Sequence, residues 1–517
     1  MKKKVSKEDI DNIINYIKNQ RWFAEKNEKI IDLEIYDSLL VNDNIFIAFV
    51  FVIYENRDKK LYFLPFKQEE LGKSKTYDIV LDSVNQSLTA IDYLDTYNIF
   101  LNYLIEKKSI TTQNNNVVYF EDNYNQIENM NLKYLKSFKK DISSNCVNLN
   151  MLGDIKVISK IYKSLSSDDY ITLLKKMSKN QNIVPTLFAT YYLEDKKTNE
   201  IYLIGFIQEF FDGDYFDAFL NKNIRSLWEK IGSNDNEEII NNHSKDVFSL
   251  LQYVGSSLCN FHIEINNTLR DNSNKVLFNT KGFIGTLKKL IDKLSSDILQ
   301  DNDFSKDFYK NASQKLYKIL ENIEKTDYKN FIAAFSHGDL HIDHILYKEQ
   351  ASAKKFDIKI IDFHQKCTSS DNPDFVFQHP LQDIAAINRS LEYFSFDEAN
   401  RQISNELNIT EEQAALLQID LLINEDNLKK DEKVYNIVKN ANYISQRWQK
   451  TIVNTILYSY KKELSESTQN NLIVPNEMDS IFGLFYFMRL VKELEYNYLY
   501  DRKHFKVFDF FYLMMYS

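Results

Sequence analysis

The sequence predicts an α+β protein in which a β-rich region and a small mixed region precede a large helical region. Runs of β-branched and aromatic residues fill the first third of the chain, and apolar residues recur at helical spacing across most of 214–517. A chain of 517 residues is too long for one ordinary hydrophobic core. We therefore predict three domains: 1–131 is β-rich, 132–213 is mixed, and 214–517 is helical.

The β-rich domain is predicted to contain a meander of antiparallel strands. The segments KIIDLEIYDSLL, NIFIAFVFVIYE and KLYFLPFK run apolar or alternate, and the turn segments VNDN and NRDKK separate them. A helix is predicted ahead of the meander, from SKEDIDNIINYIKNQ, because Ser6 followed by Glu8 and Asp9 suits a helix start.

The other two domains are predicted from the same kind of pattern. In the mixed domain, DIKVISKIYKSL, TLFATYYLE and IYLIGFIQEFF are typical of strands, and DDYITLLKKMSK is typical of a helix. In the helical domain, DVFSLLQYVGSSLCNFHIEI, FIGTLKKLIDKLSSDIL and SIFGLFYFMRLVKELEYNYLY have apolar residues at helical spacing. One β-branched segment, KKFDIKIIDFHQ, predicts a strand embedded among these helices.

The composition argues against several classes of protein. A net charge of −10 and a pI near 5.5 disfavour nucleic-acid binding. The longest apolar run, IFIAFVFVIY, is about half of the ~20 residues that a membrane helix needs, and the N-terminus lacks the core of a signal peptide. The three cysteines form no CxxC pair, which argues against a disulfide framework or a thiolate zinc site. We expect a cytoplasmic protein that binds neither nucleic acid nor membrane, and the sequence carries no signal for an oligomeric state.

The most informative stretch is AFSHGDLHIDHILYK, which lies directly before the embedded strand. Asp339 follows Gly338 in a predicted turn, and Asp362 ends the strand FDIKIID, so a hairpin-like return would bring both carboxylates to one mouth. There, one carboxylate can accept a proton from a hydroxyl while the other holds a divalent metal on a phosphate. Each aspartate alone is an ordinary cap or turn residue. The joint pattern favours a site.

The segments SHGDLHIDHIL and KIIDF resemble the catalytic core of the aminoglycoside-phosphotransferase-like kinases, and most closely that of maltokinases and of the maltokinase-like region of trehalose synthases. Five other segments carry the same likeness along nearly the whole chain: QRWFAEKNEKI, SSNCVNLNMLGDIKVISKIYKSL, FIQEFFDGDYFDAF, HPLQDIAAINRSLEY and VKELEYNYLYDR. The resemblance implies a bilobal protein-kinase-like fold, with 1–131 as a cap, 132–213 as a nucleotide-binding lobe, and 214–517 as a helical lobe with the catalytic loop and acceptor site. It also implies ATP-dependent phosphorylation of a sugar hydroxyl, on maltose or a related saccharide.

The resemblance assigns roles to individual residues. Asp339 matches the catalytic aspartate, Asp362 matches the metal-binding aspartate, and Lys160 matches the lysine that contacts the nucleotide phosphates. Asp383 matches an aspartate that supports the catalytic loop. The loop that covers the phosphates is matched by Ser144, Asn145 and Cys146. The hinge beside the adenine is matched by Gln208, Glu209 and Phe210. The acceptor wall, which is the side of the site that faces the sugar, is matched by Arg389, Tyr393, Glu493 and Tyr496.

Two histidines depart from the family pattern. His344 stands where the family has Asn or Gln as the second metal ligand, and His364 stands where maltokinases have Glu. The resemblance implies ATP and Mg²⁺ as cofactors. Imidazole suits manganese, zinc or iron better than magnesium, so Mn²⁺ is the alternative ion. Alternatively, His344 hydrogen-bonds Asp362 or Asp339 while magnesium stays on Asp362. A third possibility is a transition-metal site unrelated to phosphate, formed by His337, His341, His344, His364 and Asp362. The glutamate that usually pairs with Lys160 is also missing, and only Asp168 or Asp169 lies nearby in the sequence.

Two functions therefore remain open from the sequence. The first is a maltokinase-like sugar kinase that uses ATP and a small-molecule sugar. The second is a pseudokinase that binds a nucleotide or a sugar and acts as a regulatory protein.

Overall fold

The protein is described here by a computed structural model. It describes residues 13–15, 17–18, 23, 28–42, 45–56, 58–70, 78–79, 86–90, 94–123, 131–137, 146–165, 174–178, 183–231, 236–245, 247–269, 276–301, 305–328, 331–350, 355–362, 373–467 and 478–516. The chain forms two compact units. The first comprises Met1–Asn180 and Pro185–Phe211, and the second comprises Gln181–Val184 and Asp212–Ser517.

Besides the short helical stretches at 13–15, 17–18 and 174–178, the described part of the first unit contains one helix and thirteen strands. They are β1 Ile30–Asn42, β2 Ile45–Tyr54, β3 Lys59–Glu70, β4 Asp78–Ile79, β5 Gln86–Ala90, α1 Leu94–Lys107, β6 Ser109–Thr111, β7 Val117–Asp122, β8 Leu132–Ser137, β9 Cys146–Leu152, β10 Ile155–Ile161, β11 Ser164–Leu165, β12 Leu187–Glu194 and β13 Ile201–Glu209. One sheet has the order β1-β2-β3-β5-β4, with β11 on β3, and the other has the order β6-β7-β12-β13-β10-β9-β8.

The two sheets of the first unit share a hydrophobic core. Strands β1 to β3 form the predicted antiparallel meander, and Phe49 lies opposite Phe63 in its register. Helix α1 packs into the same core through Tyr97, Phe100 and Leu104. We did not predict α1, although its buried residues recur at helical spacing. The predicted strands of the mixed domain correspond to β10, β12 and β13.

The described part of the second unit is mostly helical and contains one small sheet. Its elements are β14 Asp214–Tyr215, α2 Phe216–Lys230, α3 Asn236–Lys245, α4 Phe248–Leu269, α5 Thr280–Gln300, α6 Lys306–Lys325, β15 Ile345–Gln350, β16 Lys355–Ile360, α7 Leu381–Leu407, α8 Glu411–Ile423, α9 Glu425–Leu428, α10 Glu432–Glu466, α11 Met478–Leu499 and α12 Lys503–Met515. Two 3₁₀ turns cover Ile342–His344 and Pro373–Phe377. The predicted embedded strand is β16, which pairs antiparallel with β15.

The long helix α10 packs against both α4 and α7. At Gly255 of α4, a Cβ atom would lie 2.4 Å from the carbonyl oxygen of Ile456 of α10, so only glycine permits this close approach. Helix α8 begins with a capping box formed by Thr410 and Gln413. Among the described helices, none has an apolar stretch of the length that spans a bilayer.

Parts of the sequence prediction fall outside the described residues. The described residues of the predicted first helix, 13–15 and 17–18, are helical, and so are 174–178 of the helix predicted from DDYITLLKKMSK. Ser6, Glu8 and Asp9 lie outside the described part. The domain boundaries predicted at 131/132 and 213/214 stay predictions.

Candidate active site

The turn His337–Asp339, called the HGD turn below, is anchored by a buried aspartate from the start of α7. Asp383, which is 1 % exposed, accepts hydrogen bonds from the backbone N–H groups of His337 at 2.5 Å and Gly338 at 2.9 Å. Gly338 has a φ of 93°, a conformation that residues with a side chain rarely adopt. The turn therefore presents Asp339 in one fixed direction. These contacts are those expected of a residue that supports the catalytic loop.

A second layer of buried polar groups holds Asp383 and the segment before the turn. His262 Nε2 donates to Asp383 at 2.9 Å, and His262 Nδ1 accepts from the Tyr460 hydroxyl at 2.9 Å. Asn266, one turn further along α4, exchanges two hydrogen bonds with the backbone of Phe335, at 2.8 and 2.9 Å. Because buried polar groups must be paired, this network specifies the position of the loop.

His337 joins the turn to the end of β16. Its Nε2 donates to the carbonyl of Ile361 at 2.9 Å, directly before Asp362. Complete burial lowers the pKa of His337 to about 4, so the ring is neutral at physiological pH. His337 is thus a structural link between the two predicted carboxylates.

His344 and Asp362 form a pair that could hold a cation. His344 Nδ1 donates to the backbone carbonyl of Asp339 at 3.1 Å, and His344 Nε2 lies 3.8 Å from the Asp362 carboxylate. Metal-binding histidines commonly donate their second ring N–H to a carbonyl in this way, which leaves the other nitrogen as a ligand. Asp362 has a left-handed φ of 57°, a strained conformation found more often at functional sites.

A nitrogen and a carboxylate oxygen are ligands that suit manganese better than magnesium. Within the described residues, no group of three or more His, Cys, Asp or Glu side chains could hold a metal. A cation bound by His344 and Asp362 would therefore take its other ligands from phosphate oxygens or water. The pair fits such a cation, and the predicted His364 lies outside the described residues.

The Asp339 carboxylate lies between an arginine and a histidine. Arg489 Nη1 and His341 Nε2 both lie 3.0 Å from Asp339 Oδ1. Burial alone raises the pKa of Asp339, but the hydrogen bond from His341 and the charge of Arg489 outweigh it, so the pKa lies well below its usual range. His341 Nε2 also lies 3.2 Å from Arg489 Nη2, and it can donate to Asp339 or accept from Arg489, but not both.

Arg489 begins a chain of buried ion pairs between three helices. Its Nε donates to Glu493 at 2.6 Å, and Glu493 also accepts from Arg389 Nε at 2.9 Å. Arg389 is fully buried and donates further to Glu392 at 2.6 Å and Asp509 at 2.5 Å. Burial raises the pKa of Glu392 to about 7 and that of Asp509 to about 8, against the opposing effect of Arg389.

A cavity of about 530 Å³ opens beside Asp339. Its lining residues are Asp339, His341, Tyr393, Arg489, Lys492, Glu493, Tyr496, Asn497, Arg502 and Phe505. Tyr393 stacks on Phe508 with ring centroids 3.7 Å apart, and Tyr496 is 50 % exposed. The mixture of aromatic rings and a few convergent polar groups is typical of a small-molecule site.

The residues predicted for nucleotide binding lie in the first unit. Lys160 is a buried residue of β10, its ammonium lies 5.4 Å from the ring centroid of Tyr162, and its carbonyl accepts from the Tyr191 hydroxyl at 2.5 Å. Cys146 begins β9, opposite Ile161 of β10. Ser144 and Asn145 lie outside the described residues, as do Asp168 and Asp169.

The predicted hinge lies at the end of β13. Gln208 pairs with Ile158 of β10 in the sheet, and the Glu209 carboxylate accepts from the backbone N–H of Thr186 at 3.0 Å. The backbone N–H of Phe210 donates to the carbonyl of Lys156 at 3.2 Å. The Glu209 side chain therefore has a local structural partner.

The structure brings some of the predicted site residues together. Asp339, Tyr393, Glu493 and Tyr496 line one cavity, whereas Arg389 is buried behind Glu493 and lines no part of it. The cavity also contains residues that we did not predict: His341, Arg489, Lys492, Asn497, Arg502 and Phe505. Helix geometry could have found two of these, because positions 489, 493 and 497 lie on the same face of α11.

Comparison with known proteins identifies the fold. No protein-family model matches the chain, and no curated protein matches its sequence. A structure of glucosamine kinase in complex with glucosamine, ADP and inorganic phosphate matches with a TM-score of 0.52 and 10 % identity, covering 92 % of each chain. A second crystal form of glucosamine kinase matches with a TM-score of 0.51, 10 % identity and the same coverage.

A structure of spectinomycin phosphotransferase in complex with ADP and spectinomycin has a TM-score of 0.33 and 12 % identity, covering 74 % of this chain and 92 % of that one. The glucosamine kinase matches, at TM-scores above 0.5, show that this chain has a kinase-like α+β fold. The predicted fold class is thereby confirmed.

Proposed function

We propose that this protein is an ATP-dependent phosphotransferase that phosphorylates a sugar hydroxyl. The observation that carries the proposal is the position of Asp339, which a buried network holds at the wall of a cavity large enough for a sugar. Support also comes from the kinase-like fold, since a structure with that fold holds glucosamine and ADP. Fold alone does not specify function, so the proposal rests on the residues of the site.

In the proposed reaction, the acceptor hydroxyl oxygen forms a bond to the γ-phosphorus of ATP. The bond from that phosphorus to the bridging oxygen breaks, and ADP leaves with the electron pair. The hydroxyl proton passes to Asp339 and then to solvent. Because the pKa of Asp339 is well below its usual range, its main role is to orient the hydroxyl, and it takes the proton late, as the new bond forms.

The nucleotide would be bound by residues of the first unit. Lys160 would contact the phosphates, and the loop of Ser144, Asn145 and Cys146 would cover them. The backbone groups of the hinge residues Gln208, Glu209 and Phe210 would meet the adenine. These assignments come from the sequence resemblance and form part of the proposal.

The residues His344 and Asp362 would hold a divalent cation, Mg²⁺ or Mn²⁺, that neutralises phosphate charge when it is bound. The carbonyl of Asp339 orients the His344 ring, so the same turn places both the carboxylate and the ligand nitrogen. The acceptor would contact Tyr393, Glu493 and Tyr496, and Arg389 would position Glu493 from behind. Maltose and related saccharides are the first acceptors to test, and a cytoplasmic location belongs to the same proposal.

A pseudokinase is the second candidate, and one observation favours it. Both Arg489 and His341 contact the Asp339 carboxylate, and they would compete with an acceptor hydroxyl for it. Such a protein would bind a nucleotide or a sugar and act as a regulatory protein without efficient transfer.

ADP release by the purified protein tests the two candidates against each other. The assay would combine ATP with Mg²⁺ or Mn²⁺ and a panel of maltose, trehalose, glucose and amino sugars. Asp339→Ala should abolish release while it spares nucleotide binding measured by calorimetry. Asp357→Ala, at an exposed position of β16, is the matched control and should behave as the parent. Nucleotide binding without release under any condition would favour the pseudokinase.

A further inference from the structure

The charge balance of the cavity beside Asp339 identifies a class of acceptor. Three basic residues line the cavity, Arg489, Lys492 and Arg502, against two acidic residues, Asp339 and Glu493. Arg489 contacts both of these carboxylates, and Arg389 contacts Glu493 a second time from behind. Both carboxylates at the wall are therefore already ion-paired to an arginine.

Deeper in the second unit, two further carboxylates share Arg389. Glu392 and Asp509 are 5 % and 0 % exposed; Arg389 contacts Glu392 through Nη1 and Asp509 through Nη2, and neither carboxylate lines the cavity. Burial raises the pKa values of both groups to about 7 and about 8, so they are partly neutral near physiological pH. Their effect on the cavity is correspondingly reduced.

Arg502 is the basic residue with the clearest orientation. Its guanidinium carbon lies 3.7 Å from the ring centroid of Phe505 and 5.7 Å from that of Tyr496. Among the described residues, no carboxylate lies within ion-pair distance of it. Stacking on an aromatic face fixes the plane of an arginine but leaves its N–H edge available for an anion.

The start of α12 adds a favourable field at the same place. Arg502 is the N-cap residue of this 13-residue helix and makes no side-chain capping bond, and the first turn contains no acidic residue. Acids near this end are paired, Asp501 with Lys506 at 3.0 Å and Asp397 with His504 at 3.1 Å. A helix N-terminus attracts negative charge, so it acts here in the same direction as Arg502.

Asn497 supplies a hydrogen-bond acceptor at the same wall. It is 2 % exposed and donates its Nδ2 to Asp509 at 2.7 Å, and its Oδ1 has no hydrogen-bond partner among the described residues. An unpaired buried acceptor costs free energy. This oxygen lies beneath the accessible surface, so a sugar hydroxyl would satisfy it only after the side chain turned toward the cavity.

We infer that the acceptor is a saccharide with an anionic substituent, a carboxylate or a phosphate, which binds at Arg502 while a hydroxyl faces Asp339. This inference rests on the proposed function, because it names the acceptor class of the same site. A charge-assisted hydrogen bond to arginine gives roughly a 10- to 100-fold gain in affinity over a neutral sugar of the same shape. An amino sugar is disfavoured, since its ammonium would face Arg489 and Arg502.

The test is equilibrium binding by calorimetry without nucleotide, using glucose, glucosamine, glucuronate and glucose 1-phosphate. These sugars share one ring and differ in charge, and the last two distinguish a carboxylate from a phosphate. We expect at least one anionic sugar to bind about tenfold or more tightly than glucose, and glucosamine to bind most weakly. The preference should also weaken as salt is added.

Arg502→Met keeps an unbranched apolar stem but removes the guanidinium and its charge. It should lower the affinity for the anionic sugar by roughly 10- to 100-fold and leave that for glucose unchanged. Lys450→Met, at an exposed position of α10 that does not line the cavity, controls for net charge and should have no effect.

Two results would overturn the inference. One is a panel in which no anionic sugar binds more tightly than glucose. The other is an Arg502→Met variant in which ADP, rather than the anionic sugar, loses affinity. Failure of the proposed function gives a different result, in which the anionic sugar binds preferentially but no ADP is released when ATP and a divalent cation are added.

Discussion

The guanidinium of Arg489 bridges Asp339 and Glu493, at 3.0 Å and 2.6 Å. One nitrogen contacts the proposed catalytic carboxylate, and another contacts Glu493, a partly buried glutamate one turn further along the same helix. The planar fork of arginine can make both bonds at once, which lysine cannot. The position of Asp339 is therefore set from the helical wall as well as from its own turn.

The bridge predicts the effect of replacing Arg489. Arg489→Met should lower kcat by roughly 10²-fold, because the carboxylate loses the contact that orients it, while KM for ATP stays unchanged. Arg489→Lys should lose nearly as much, since one ammonium cannot replace the fork. Steady-state kinetics on both variants checks this, and full activity in Arg489→Lys would contradict the positioning role.

The anchor of the HGD turn predicts a loss of stability. Asp383→Asn places an amide N–H₂ against backbone N–H donors, so the free energy of unfolding should fall by about 2–4 kcal/mol. Asp397→Asn is the matched control on the same helix, at an exposed position, and should cost about 0.5 kcal/mol or less. Urea denaturation of both variants measures the difference. Equal costs would show that the network around Asp383 carries no special weight.

The ligand nitrogen of His344 predicts a metal preference. The parent protein should bind Mn²⁺ more tightly than Mg²⁺, and His344→Gln should shift the preference toward Mg²⁺, because an amide oxygen suits the harder ion. Electron paramagnetic resonance of Mn²⁺ binding and ADP release with each ion are the two measurements. His504→Gln, on α12, is the control histidine. An unchanged preference in His344→Gln would exclude His344 as a ligand.

The buried His379 predicts a pH dependence of stability. Burial lowers its pKa from 6.5 to about 3, so the unfolded chain binds more protons than the folded protein between these values. The stabilisation is therefore complete above about pH 6.5 and is lost as the pH falls toward 3, at about 1.4 kcal/mol per pH unit. His337 adds a similar contribution down to about pH 4.

His379→Phe should remove one of these contributions. The ring stacks parallel to Phe485 at 5.4 Å, so phenylalanine fits the site. The slope of unfolding free energy against pH should fall by about 1.4 kcal/mol per pH unit between roughly pH 4 and 6. His504→Gln should change the slope in the opposite sense and only above about pH 6.5, because Asp397 raises the pKa of His504 in the folded protein. Denaturant titrations below and above pH 6.5 test the two signs separately.

The sequence predicts those features that depend on neighbouring residues. The β-branched run of β13 and the apolar spacing of α11 each indicate the observed element directly. The HGD turn and the following strand predict that Asp339 and Asp362 lie near one another, and His344 contacts both residues. Helix α1 was missed because strand-like segments surround it, although its own spacing is helical.

Features that depend on distant pairing could not be predicted. Arg489 and Asp339 are 150 positions apart, and no local pattern links them. Arg389 is predicted at the acceptor wall, but it is buried because Asp509, 120 positions later, draws its guanidinium inward. The packing of α7, α11 and α12 thus decides which residues line the cavity. That packing cannot be deduced from the local patterns of a single sequence.

The pairing of Arg389 with Asp509 has a consequence for biosynthesis. The HGD turn and helix α11 emerge from the ribosome before α12, so Arg389 and Asn497 lack their shared partner, Asp509, until α12 has been synthesised. In a nascent chain without α12, Arg389 lacks its partner Asp509 and the acceptor wall is incomplete. The pocket is therefore among the last parts of the second unit to mature, and a ribosome stalled before residue 503 would display a chain whose cavity lacks Phe505 and the support of Asp509.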